Sequence, residues 1–225
     1  MANALDLQEQ EQLDQIKAFW KQHGNLITWV ITALLLVYAG WNGWQWYQRD
    51  QAGKAAAIFE ELDKAAAAGD VAKVSRAFTD LKDRFPRTAS AEQGALVAAS
   101  VQYDKGQADA ARATLTWATE QAREEEYRAI AALRLAGLLI EAKQPDAALK
   151  QVDAVKLPAF AGLVADRRGD VLMAQNKKDE AKAAYQAAYK ALDERLDYRR
   201  LVEAKLIALG APPEAAAPAA KGASK

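Results

Sequence analysis

The sequence predicts an all-α protein. One helix spans a membrane near the N-terminus, and an α-solenoid of about four stacked helix hairpins follows, closed by a C-terminal capping helix. Three observations predict this. The stretch LITWVITALLLVYAGWNGWQWYQRD, from Leu26 to Asp50, completes a region with no Lys, Arg, Asp or Glu between Lys21 and Arg49 and ends on the charges of Arg49 and Asp50. From Arg49 to Leu209 the chain is rich in alanine, with charges at helical spacing and almost no strand signal. Within that region turn residues recur at spacings of 37, 37 and 33 residues, a period that marks stacked repeats.

The first element is the segment EQLDQIKAFWKQHGN, which places Leu13, Ile16, Phe19 and Trp20 on one helical face. It reads as a short amphipathic helix entering a membrane interface. Its apolar face serves either as a simple anchor or as a docking surface for a membrane partner.

The apolar stretch comes next. A bilayer-spanning helix needs about 20 mostly apolar residues. Leu26, Ile27, Val30, Ile31, Leu34, Leu35, Leu36 and Val37 together favour insertion by on the order of 3 kcal/mol. Trp20 and Trp29 stand near one end of the span, and Trp41, Trp44, Trp46 and Tyr47 crowd the other, as amphipathic rings do at headgroup level. A buried helix of a globular domain rarely goes uncharged for this long. A cleaved signal peptide does not fit the acidic leading segment, the length of the run or the absence of an A-x-A site. The positive residues Lys17 and Lys21 before the span, and Arg49, Lys54 and Lys64 after it, are too evenly shared for charge to fix the orientation.

The repeats fill the rest of the chain. With Gly69, Gly106, Lys143 and Asn176 taken as turn residues, Leu62, Ala99, Ala136 and Gly169 lie seven before them. Val74, Ala111, Ala148 and Ala181 lie five after, and Phe78, Leu115, Val152 and Tyr185 nine after. Leu81, Ala118, Val155 and Ala188 lie twelve after. Small residues let two antiparallel helices approach closely, and the larger residue of the third set is expected to plug into the neighbouring unit. A single hairpin cannot bury its apolar face, so units stack. Asp109, Asp146 and Asp179, three after the turn, are expected to meet the free amides and positive end of a new helix. A last helix is expected from Leu192 to Leu209, with Leu192, Leu196, Leu201 and Leu206 covering the open end of the stack, and Gly210 and Pro212 ending it. The Ala/Pro/Gly tail APPEAAAPAAKGASK is expected to be disordered. The chain thus divides into an amphipathic segment (1–24), a transmembrane helix (25–47), a helical repeat domain (48–210) and a tail (211–225).

Composition excludes several functions. Of 30 basic and 30 acidic residues, two and four lie before Arg49, leaving 28 and 26 from Arg49 onward. A domain so balanced gives no reason to expect nucleic acid as a partner. There is no cysteine, which removes disulfides and thiolate chemistry. The one histidine, His23, beside the span, makes a zinc site improbable. Ser75, Ser90, Ser100 and Ser224 lack any nucleophile-elbow context. Glu60–Glu61 and Glu124 to Glu126 read as solvated helix faces. No catalytic residue, cofactor site or metal site is expected.

The hairpin columns resemble the tetratricopeptide repeat, which wants small residues, Ala, a large apolar residue and Ala at these four places; Pro86 after Phe85 matches that motif's closing proline. The order of elements is similar to that of the YfgM family, ancillary subunits of the bacterial SecYEG translocon. So are RLAGLLIEAKQPDAALKQVD, VADRRGDVLMAQNKKDEAKAAYQAA and, within it, ADRRGD from Ala165 to Asp170. The resemblance implies a single-pass inner-membrane protein with its N-terminus in the cytoplasm and its repeat domain in the periplasm. It implies association with the translocon, with membrane-anchored periplasmic chaperones and with exported clients. It supplies no catalytic residues. The residues alone also allow an envelope scaffold for a dedicated complex unrelated to export.

Overall fold

The computed structural model describes residues 7–213, with side chains from residue 10. The expectation of a disordered tail lies, from residue 214 onward, outside the described residues. The chain divides after Gln51 into two units. All regular structure among the described residues is helical: α1 (Leu7–Ala67), α2 (Val71–Arg84), α3 (Ala89–Asp104), α4 (Ala108–Gln121), α5 (Glu125–Glu141), α6 (Pro145–Ala154), a 3-10 turn (Pro158–Phe160), α7 (Ala161–Ala174), α8 (Lys178–Ala191) and α9 (Asp197–Ala208).

The first unit is the N-terminal part of α1. The amphipathic segment and the apolar span are not separate helices: α1 continues through Gly24 and Asn25 without a break. One interior glycine costs a helix about 1 kcal/mol, too little to stop one this long. The ring of Trp20 lies over Gly24, where an added Cβ would meet it at 3.1 Å. Polar groups in the span turn inward on their own backbone. Thr28 Oγ1 donates to the Gly24 carbonyl at 2.8 Å, Thr32 Oγ1 to that of Thr28 at 2.8 Å, and Asn42 Nδ2 to that of Tyr38 at 2.9 Å. Such bonds satisfy polar side chains without water, as hydrocarbon requires. α1 is the one helix among the described residues long and apolar enough to cross a membrane.

The second unit is built of four hairpins, the last part of α1 with α2, then α3–α4, α5–α6 and α7–α8, followed by α9. The turn residues read from the sequence are the residues at positive φ: Gly69 (65°), Gly106 (76°), Lys143 (60°) and Asn176 (62°). Each makes the same pair of bonds. The turn residue's amide donates to the carbonyl three back, and the next amide to the carbonyl five back from itself, as in Gly106 to Tyr103 at 2.8 Å and Gln107 to Gln102 at 2.8 Å. This pattern satisfies carbonyls that a helix end leaves open. Gly210 repeats it after α9. Lys143 adopts the left-handed conformation at a cost of about 1–2 kcal/mol that glycine would avoid.

All the column residues named above are buried except Val155, which is half-buried. The expectation that the larger residue always plugs into the next unit needs amending. Phe78 of α2 does meet Trp117 of α4 edge to face, with centroids 5.4 Å apart. Tyr185, however, fills space inside its own hairpin: a Cβ on Gly169 would lie 2.3 Å from Tyr185 Cε1. The last hairpin pairs the smallest residue of one column with the largest of another.

Two further expectations are amended. Asp109, Asp146 and Asp179 sit in the first turns of α4, α6 and α8, at the positive helix ends as expected, but Gln107, Gln144 and Lys177 occupy the N-caps and make no side-chain capping bond. Asp109 pairs with Arg112, and Asp146 accepts from Gln175 Nε2 at 2.9 Å. The side-chain cap of this kind belongs to Asp70, which accepts from the Lys73 amide at 3.1 Å. The last helix begins at Asp197, not at Leu192. Asp193 Oδ1 accepts from the Arg195 amide at 2.9 Å, a local turn that ends α8. Leu192 packs over Gly162, and Leu196 and Leu201 stay exposed; Leu206 closes the stack as expected, with Val202 beside it. Together with Leu172, Ala181, Tyr185 and Ala188 they form a second core cluster, apart from the larger one that the first three hairpins share.

Candidate functional site

Three regions could carry function: the exposed face of α1, the polar lock that holds α9, and the furrows along the second helices of the hairpins. On α1, Leu13, Ile16, Phe19, Trp20, Trp29, Trp41, Trp44 and Trp46 are all exposed within the protein. Phe19 stacks on His23 with ring centroids 4.8 Å apart. An apolar surface this continuous needs lipid or protein to cover it.

The lock grows from ADRRGD. Asp166 and Asp170, four apart, lie on one face of α7. Asp166 is fully buried and accepts from Tyr198 Oη at 2.6 Å and from Lys205 Nζ at 2.8 and 3.0 Å, both from α9. Asp170 Oδ1 accepts from Lys205 Nζ at 2.7 Å and from Tyr185 Oη at 2.8 Å, and its Oδ2 accepts from Arg167 at 3.1 Å. Lys205 therefore bridges two carboxylates and sits 5.1 Å from the centre of the Tyr185 ring. Burial, and then the carboxylate acceptor, hold the hydroxyls of Tyr185 and Tyr198 well above the ordinary phenol range. Both stay protonated and donate. This network ties three helices together, and none of its residues lines the furrows described below. Only the spacing of its two acids hinted at it in the sequence.

A second polar bridge joins the first two hairpins. Gln102 Nε2 donates to Ser75 Oγ at 3.1 Å, and Thr114 Oγ1 donates to Gln102 Oε1 at 2.8 Å. Glu92 is buried, with Oε1 accepting from the Arg123 amide at 2.7 Å. Sequence reasoning missed both, because a glutamine and a glutamate on helices of this charge content look like solvated residues.

The furrows run along the second helices. One of about 220 Å³ lies between α2 and α4, one of about 610 Å³ between α4 and α6, and one of about 430 Å³ between the connector after α6, α7 and α8. The two larger ones share the connector Val155 to Pro158. α6 has 10 residues against 14 in α4 and α8, and the connector takes up the place where a longer α6 would continue. No cluster of His, Asp or Glu suited to a metal occurs among the described residues.

The repeat architecture agrees with the comparisons to known proteins. Residues 17–211 match the tetratricopeptide repeat-like domain family. An ancillary SecYEG translocon subunit of Neisseria gonorrhoeae is 31% identical over 92% of this chain and 99% of that protein. This chain belongs to the ancillary SecYEG translocon subunit family. Members from Escherichia coli, 28% identical over 81% of this chain and 87% of theirs, and from Haemophilus influenzae, 29% identical over 82% and 90%, extend the likeness. The family match starts within the amphipathic part of α1 and ends just past α9. It therefore takes in the exposed aromatic helix as well as the hairpins.

Proposed function

We propose that this protein is a single-pass inner-membrane adaptor that associates with the Sec translocon through α1 and offers its repeat domain to periplasmic chaperones and newly exported proteins. The observation that carries this reading is the similarity to a translocon subunit along 92% of the chain, membrane helix and repeats together. The division of labour follows from chemistry. Phe19, Trp20, Trp29, Trp41, Trp44 and Trp46 are exposed on a helix of membrane-spanning length and meet lipid and translocon. Ala99, Ala111, Leu115, Ala136, Ala148, Val152, Gly169, Ala181 and Tyr185 are buried and hold the repeat scaffold in shape. No residue is assigned to catalysis. In this reading the N-terminus is cytoplasmic and residues beyond the span are periplasmic.

Two measurements on one cysteine-free background test this. A photoreactive phenylalanine analogue at Phe19 or Trp41, irradiated in native membranes, crosslinks to a translocon subunit, and at Tyr127 to periplasmic proteins. A membrane-impermeant maleimide labels Lys178→Cys and spares Gln10→Cys in cells with permeable outer membranes. Crosslinks from Phe19 and Trp41 to lipid alone would remove the translocon from this reading, and labelling of Gln10→Cys alone would reverse the topology.

A further inference from the structure

We infer that the furrow between the connector Val155 to Pro158, α7 and α8 binds an extended, mainly apolar segment of another polypeptide that carries an acidic side chain. This rests on the reading that the repeat domain contacts other polypeptides, and it names the face and the chemistry. Three features point to that occupant. The connector is extended: Val155 has φ −80° and ψ 113°, and Leu157 φ −65° and ψ 122°. Among the described residues, the amides of Lys156 and Leu157 and the carbonyls of Val155 and Lys156 make no hydrogen bond. A short run of open donors and acceptors in extended backbone is what a partner strand pairs with.

The furrow beside it is floored by small apolar side chains, Ala161, Val164, Ala165, Ala184 and Ala187. Its volume of about 430 Å³ falls in the range of ligand-holding clefts. Small walls leave the room to the guest's side chains.

Charge then selects among peptides. The furrow's lining contains two cations, Lys156 and Arg168, and no acid. Arg168 is paired with Asp153 at 2.7 Å, whereas Lys156 has no partner among the described residues. An incoming carboxylate completes Lys156. The neighbouring α4/α6 furrow is lined by Glu120, Glu125, Arg128 and Lys156 and is balanced, so it has no such preference.

The test uses the full chain in detergent and, as probe, fluorescein-labelled reduced carboxymethylated α-lactalbumin, a permanently unfolded acidic chain. Binding is read by fluorescence anisotropy. Ala187→Trp fills the furrow from an exposed position, and Lys156→Glu reverses its free charge; neither side chain is in the core. Each is expected to weaken binding about tenfold or more, which corresponds to roughly 1.4 kcal/mol. Ala113→Trp, which fills the α2/α4 furrow instead, is expected to leave binding within about twofold of the unaltered chain, a change under about 0.5 kcal/mol. Circular dichroism of each variant verifies the fold. Unaltered binding by Ala187→Trp, an equal loss in Ala113→Trp, or no binding by the unaltered chain would overturn the inference. So would a chain ending at Pro213 that binds the probe more tightly, because the protein's own tail would then be the occupant. None of these outcomes bears on the crosslinks from Phe19 and Trp41, which test the translocon reading separately.

Discussion

Lys205→Met is expected to destabilise the last hairpin and α9 by about 3 kcal/mol, because removing one partner of a buried ion pair typically costs 3–5 kcal/mol. Methionine keeps most of the apolar stem, so the loss is that of charge. What remains is Asp166, fully buried, with only the Tyr198 hydroxyl to satisfy it. Lys205 is 24% exposed, which places the effect at the lower end of that range. The loss is expected to be local, since Val202 and Leu206 belong to a cluster apart from the main core. Hydrogen exchange of the full chain should show faster exchange in α8 and α9 and unchanged protection in α3 and α5. Adding Asp166→Asn to Lys205→Met should recover part of the stability, because the stranded charge is then gone. Exchange in α9 identical to that of the unaltered chain would show that the bridge contributes nothing.

Gly169→Ala is the second large effect, and its sign is the informative part. In an exposed helix the change would stabilise by about 1 kcal/mol. Here the new methyl would stand 2.3 Å from Tyr185 Cε1 and 2.5 Å from Cδ1. The ring cannot easily turn aside, since its hydroxyl is bonded to Asp170 and Lys205 lies over it. Overpacking costs about 1–3 kcal/mol, which outweighs the propensity gain. Urea unfolding should therefore show a lower midpoint for Gly169→Ala. In a Tyr185→Ala background the same change should be neutral or stabilising. A lower midpoint in both backgrounds would mean that the ring is not the cause.

Much of this fold was legible in the chain because its turns are local. Gly69, Gly106, Lys143 and Asn176 could be picked out by spacing, and each takes up a left-handed conformation. The buried columns followed from the small residues that two close helices require. The start of α9 was not legible, because Leu192 and Leu196 keep helical spacing with Leu206 while the Asp193 turn interrupts the backbone. The continuity of α1 was not legible because the amphipathic segment and the apolar span differ in pattern, although the one glycine between them, Gly24, is too weak a breaker to end so long a helix. The α7–α9 lock was hidden because Asp166 and Lys205 stand 39 residues apart, and each alone reads as a surface charge. The furrows depend on how far neighbouring helices and the connector Val155 to Pro158 stand apart, which no local pattern records.

The central claim is that α1 carries the association with the translocon and the repeats carry the contacts beyond it. One measurement tests it most directly. Residues 1–51 fused to an unrelated soluble domain, and residues 52–225 alone, are each affinity-purified from detergent-solubilised membranes, and translocon subunits are quantified in both eluates. Tethering raises the effective concentration of a second contact without adding an interaction, so the two halves should separate cleanly. The fusion is expected to retain the translocon and the repeat fragment to lose it. Recovery of the translocon with residues 52–225, and none with the fusion, would contradict the account and leave α1 as a membrane anchor only.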